Sequence, residues 1–282
     1  MDLEIIKEVL LDSLKMLPLL FAVYALIEFL EHKNNNSSYH ILMKQRKAGP
    51  LLGAVFGCIP QCGFSVIASD LYSRKAITVG TLLAVFLSTS DEAVPILITN
   101  PSFLPDALKI LAIKLVIATV VGYCADLFVK SDKGHECEKK EHHTHFHGNC
   151  ESCEHGILKS ALIHSVKIFV FIFLVSLALE FVMENAVGDD ALEFFAVHKI
   201  LQPFITALVG LIPNCAASVI LTQCYIAGKI TLGALIGGLS TGAGVGLIML
   251  FKFNKKIMQN LAILGALYLT GVFSGIILQM IL

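Results

Sequence analysis

Apolar stretches of membrane length recur along the whole chain, at 9–31, 51–72, 76–99, 107–129, 157–182, 201–226, 230–251 and 258–281. Roughly 20 apolar residues are what an α-helix needs to cross the hydrocarbon core of a bilayer. Within each stretch the apolar positions are continuous and do not alternate, which predicts helices and not barrel strands. Two stretches are interrupted. FGCIPQCGFS at 56–65 and LVGLIPNCAASVI at 208–220 each place a proline two residues before a cysteine. Proline lacks the backbone donor a helix ladder needs, so both stretches are expected to break there.

The two breaks belong to a longer repeat. Residues 57–80 align without gaps to 210–233, and Gly57, Ile59, Pro60, Cys62, Ser65, Val66, Ile67, Ile77, Thr78 and Gly80 find identical partners. With a slip of one residue Ser88-Thr89 meets Ser240-Thr241, and Ser13, Lys15, Glu28 and Phe29 meet Ser165, Lys167, Glu180 and Phe181. This self-similarity indicates an internal duplication. It divides the chain into a first transmembrane repeat, 1–129, a polar His- and Cys-rich linker, 130–156, and a second transmembrane repeat, 157–282.

Charge then decides how the broken stretches sit. If all eight stretches cross, the basic loop residues divide evenly and carry no positive-inside signal. If 51–72 and 201–226 instead fold back at their prolines, the balance changes. Of 21 Lys and Arg, Lys15, Lys114 and Lys167 then lie within spans, Lys7, Lys109, Lys199 and Lys229 fall on one side, and the remaining fourteen gather on the other. Each hairpin arm of about 10 residues rises about 15 Å, enough to reach the bilayer midplane. With about three full spans and one re-entrant hairpin per half, the second half enters from the opposite side. The expected fold is therefore an all-α, polytopic membrane protein of two inverted-topology repeats, with both hairpin tips near the midplane. The basic side, which holds the linker, is expected to be cytoplasmic.

Composition agrees: 56% hydrophobic, 15% charged, mean hydropathy +0.77, against about 25% charged in soluble domains. The first stretch starts acidic (Asp2, Glu4, Glu8) and no small-residue cleavage site follows it, so it is expected to be an uncleaved span. The net charge of −1 gives no reason to expect a nucleic-acid partner; the lipid bilayer is the expected one, and the oligomeric state is left open.

The tips offer Pro60, Gln61 and Cys62 from one half and Pro213, Asn214 and Cys215 from the other. Thiolates suit thiophilic metals and metalloids; cysteines also pack as small buried hydrophobes in membrane helices. Cys58 falls under the second reading, because Leu211 takes its place in the repeat. LSTSDEAVP at 87–95 puts Asp91 and Glu92 in the middle of an apolar stretch. Carboxylates there are costly and mark cation ligands or proton carriers, unless the stretch has a short interfacial break. The second half has LSTGAGVG at 239–246, without an acid. Ser88, Thr89, Ser240 and Thr241 could ligate or serve in helix packing. Glu28, Glu180, Asp70 and Asp126 read as interfacial.

The linker carries His135, Cys137, His142, His143, His145, His147, Cys150, Cys153 and His155. A C-x2-C pair with a His tract supplies Zn-type ligands, as a sensor or feeder of metal; a solvated low-complexity loop is the other reading. No phosphate loop, dinucleotide fingerprint or H-E-x-x-H motif occurs, so neither ATP-driven transport nor an enzyme is expected, and no tightly bound cofactor. A rival function is a transmembrane thiol–disulfide electron carrier cycling Cys62 and Cys215.

The duplicated I-P-[QN]-C hairpins, the STSDEAVP segment and the central His-rich linker resemble the ten-span heavy-metal exporter family related to the ArsP-type arsenic permeases, over nearly the whole chain. The resemblance implies export of a metal or metalloid ion, arsenic or a divalent ion such as manganese, across a bacterial inner (plasma) membrane. It also implies a substrate-site role for Pro60, Gln61, Cys62, Asp91, Glu92, Pro213, Asn214 and Cys215.

Overall fold

The computed structural model describes residues 48–61, 63–89, 93–99, 101–128 and 201–281, with helical positions at 18, 21, 166, 169–171, 173–174 and 177. The linker ligands 135–155, the bulk of 9–31 and 157–182, and Cys62, Asp91 and Glu92 lie outside the described residues.

Among the described residues all regular structure is helical, and the helices come in matched pairs. The first half contributes α1 (Gly49–Gly57), α2 (Gly63–Ser73), α3 (Val79–Ser88), α4 (Ala93–Thr99) and α5 (Leu104–Phe128). The second contributes α6 (Gln202–Gly210), α7 (Cys215–Ile226), α8 (Leu232–Thr241), α9 (Val245–Phe253) and α10 (Ile257–Ile281). The matched ends have matched causes. Pro50 and Pro203 occupy the first turns of α1 and α6, where a missing N–H costs nothing. Thr78 and Thr231 cap α3 and α8, each hydroxyl accepting from the backbone N–H three residues on. The turns after α2 and α7 close on left-handed residues at equivalent positions, Lys75 (φ 59°) and Gly228 (φ 70°). The i−5 bonds that accompany them also match: Ala76 N–H to Leu71 O at 2.8 Å and Lys229 N–H to Cys224 O at 2.9 Å.

The Pro60 and Pro213 breaks are local copies of each other. Gln61 N–H donates to Ile59 O at 2.7 Å, and Asn214 N–H donates to Ile212 O at 2.8 Å, tightening the chain around each proline. The chain then doubles back. Gly49 lies against Thr81 and Gly57 against Ser88, so α1 runs parallel to α3. Since α2 ends only a short turn before α3 begins, α2 must return along the path α1 climbed. In the second half, Gln202 bonds Lys229 O and Thr231 N–H, while Gly210 lies against Gly238 and Thr241. There α6 is parallel to α8, and α7 returns.

Among the described residues four segments are long and apolar enough to cross a membrane: Val79–Thr99, Leu104–Phe128, Leu232–Phe253 and Ile257–Ile281. They form an inner and an outer set. Val79–Thr99 and Leu232–Phe253 are 80% and 83% buried, whereas Leu104–Phe128 and Ile257–Ile281 are only 22% and 28% buried. Leu108, Val116, Val120, Leu269, Phe273 and Ile277 are exposed on the outer helices, an apolar surface suited to lipid. Each inner segment, read from sequence as one span, is interrupted midway. Thr89 leaves helical geometry at φ −55°, ψ 127°, and Gly242–Gly244 separate α8 from α9, with Gly244 at φ 54°. Only glycine takes that backbone conformation without strain.

The halves are packed crosswise. The returning arm α2 packs chiefly on α9 of the other half, where Ser69 Oγ donates to Gly246 O at 2.7 Å. Correspondingly, α7 reaches α4 of the first half, where Leu221 and Cys224 share a buried apolar cluster with Ala93 and Leu97. Tyr225 OH, at the end of α7, donates to Asp106 Oδ2 at 2.8 Å, at the start of α5.

Candidate functional site

The interruptions in α3–α4 and α8–α9 meet the second hairpin tip around a cavity of about 20 Å³. That is room for about one water molecule or one dehydrated ion. Thr89 and Leu239 line it from the ends of α3 and α8, Asn214, Ala217 and Ser218 from the first turn of α7, and Gly242 and Gly244 from the glycine break. Leu221 and Gly238 add parts of helix sides, but most of the lining comes from chain ends. Chain ends are where backbone groups are released from helical ladders and can face a guest.

Lys114 stands at the same place. It is completely buried near the middle of α5, and its Nζ donates to Thr89 O and, at 2.8 Å, to Leu239 O. The Leu239 carbonyl is within reach because Ala243 N–H turns to Thr241 O instead of closing the next helical bond. The ammonium thus joins the C-terminal end of a first-half helix to that of a second-half helix. Both ends carry partial negative charge, which favours a cation.

The predicted site residues divide into three groups. Asn214 lines the cavity; it is buried and holds the N-cap position of α7, yet its side chain makes no cap bond. Pro213 and Cys215 flank it, half-buried. Pro60 is exposed and Gln61 half-buried at the first tip, and neither is among the residues around the cavity. Cys62, Asp91 and Glu92 lie outside the described residues, as do all the linker positions. Among the described residues no three His, Cys, Asp or Glu side chains gather in a metal-binding group.

The hydroxyls serve packing first. Thr89 Oγ1 donates to Val85 O at 2.7 Å, Ser88 Oγ to Ala84 O at 2.8 Å, and Thr241 Oγ1 to Ala207 O at 2.8 Å. The Ser240 hydroxyl is buried and makes no hydrogen bond among the described residues. Asp126, read from sequence as interfacial, has a capping role: it accepts from Thr78 Oγ1 at 2.7 Å and from Gly80 N–H at 2.8 Å at the start of α3. Asp70 is buried and paired with Arg74 at 3.1 Å.

Lys114 is the functional candidate the sequence reading passed over. The signal was present, a lysine within a long apolar segment, and the rule that singled out Asp91 and Glu92 applies to it equally.

A helical layer with a lipid-suited outer surface, and an inner pair of segments broken at a buried polar centre, defines a multi-pass membrane protein. Residues 15–196 match a protein family described as "Putative, 10TM heavy-metal exporter", and the chain belongs to that family. No curated protein and no solved structure matches the chain.

Proposed function

We propose that this protein exports a heavy-metal or metalloid ion by alternating access, with the ion held near the bilayer midplane between the hairpin tips and the broken inner segments. The observation that carries the reading is the cavity at Asn214, Thr89 and Gly242–Gly244, because both halves contribute to it through unwound chain. Transporters that rock one repeat against another build their sites this way. Gln61, Cys62, Asp91, Glu92, Asn214 and Cys215 are the proposed substrate residues, with Pro60 and Pro213 shaping the tips. Protons or the membrane potential supply the energy, and the 130–156 linker delivers metal from the cytoplasm of a bacterial cell.

Inversion of the halves draws support from two hydrogen bonds. Thr78, where α3 begins, bonds Asp126 near the end of α5. Tyr225, just before α8 begins, bonds Asp106 near the start of α5. Those two carboxylates are about 30 Å apart along the helix, the thickness of a hydrocarbon core. On this reading α3 and α8 start from opposite membrane faces.

The test is a metal and metalloid panel on cells with and without the protein, scored by growth and by cell-associated metal. The protein is expected to lower the content of at least one ion and to protect against it. Unchanged content and sensitivity across the panel would refute export.

A further inference from the structure

The carbonyls that hold Lys114 belong to Thr89 and Leu239, two residues that also line the cavity. A small cation entering the cavity therefore meets the environment already occupied by the ammonium. The space admits one water-sized guest, so an entering cation is dehydrated, and one drawn to the Thr89 and Leu239 carbonyls comes close to the Nζ they hold. Two positive charges at that range in a buried site repel too strongly to coexist. One must withdraw before the other settles.

We propose that Lys114 is a built-in competitor for the transported ion: its ammonium occupies the Thr89–Leu239 carbonyl pair when the site is empty, and a dehydrated divalent cation displaces it. The proposal rests on the export reading above and names the substrate class of that site. Displacement unties α3 from α8, which belong to different halves, so ion binding and release of the tether become one event. Return of the ammonium then drives the ion off. An uncharged metalloid such as arsenous acid gains little from two helix C-terminal carbonyls and does not displace a cation from them.

The experiment measures uptake of Mn²⁺, Zn²⁺, Cd²⁺ and arsenous acid into everted membrane vesicles containing wild type, Lys114→Met or Lys114→Arg. Methionine keeps the length and removes the charge. In Lys114→Met the KM for the transported divalent ion is expected to fall at least tenfold and the maximal rate to fall at least tenfold, because the competitor that ejects the ion is gone. Lys114→Arg is expected to move both back toward wild type. An unchanged divalent KM in a folded Lys114→Met overturns the competition. So does a wild type that moves arsenous acid and no divalent ion, which leaves export itself standing; vesicles that move nothing in the panel overturn both. Should Lys114→Met not fold, the wild type decides. Labelling of Lys114 by a small amine-reactive reagent, read by mass spectrometry, is expected to rise several-fold with the saturating divalent ion, and unchanged labelling overturns the proposal.

Discussion

A carboxylate or ammonium in a bilayer interior persists only where something compensates its desolvation. Asp91 and Glu92 follow Thr89 after a single serine, Ser90, and Thr89 borders the cavity. Replacing them together, Asp91→Asn with Glu92→Gln, is expected to lower efflux at least a hundredfold while the protein still inserts. Normal efflux at normal expression would remove both from the site. The cysteines separate mechanisms by ion softness. Cys62→Ser or Cys215→Ser is expected to weaken transport of soft ions about tenfold or more and of Mn²⁺ little, since a hydroxyl is a poor soft-metal ligand. A redox-active Cys62–Cys215 disulfide, seen as an alkylation-dependent mobility shift lost in each serine variant, would instead establish the electron carrier. At this scale the sequence was uneven. Asn214 was legible because a polar residue beside a proline breaks an apolar run. Lys114 stood out only as a lysine within an apolar segment; its place was not legible, because the Thr89 and Leu239 groups it bonds are backbone carbonyls, and no side-chain motif records a carbonyl.

Among the helices, the breaks at the two prolines were legible and the second pair of breaks was not. Proline announces itself, and the prolines at 60 and 213 were read together with a charge imbalance that only hairpins create. The interruption at Gly242–Gly244 rests on one residue at φ 54°, and a glycine in an apolar run is equally common where helices simply pack closely. Close packing is what Gly210 provides: a Cβ there would collide with Gly238 O of α8. Gly265 lies within α10 with nothing near its missing side chain. Gly210→Ala is therefore expected to cost about 1–3 kcal/mol by overpacking. Gly265→Ala should instead gain up to about 1 kcal/mol of helix propensity. Thermal unfolding in detergent would show opposite shifts, and a shared sign would refute this account of the α6–α8 contact.

For the molecule as a whole, the duplication and the all-helical class were readable because a repeat and a hydropathy pattern survive without tertiary information. The crosswise packing of the halves was not, since no local pattern tells an arm which half it will lie on. Orientation in the membrane makes the remaining prediction. Both termini are expected outside and the 130–156 linker in the cytoplasm, from the asymmetry of fourteen basic residues against four. Single cysteines placed in the linker should stay unlabelled by an impermeant thiol reagent in intact cells and react once the membrane is opened; labelling in intact cells would invert the topology.

The crosswise arms also bear on how the chain is made. Ser69 and the Gly246 carbonyl it bonds are 177 residues apart, so α2 leaves the ribosome long before its berth on α9 exists. Until α9 has been made, the first half carries an arm without its main neighbour. A chain cut short anywhere before α9 leaves that arm without the carbonyl that Ser69 bonds, so the first half cannot complete its packing alone.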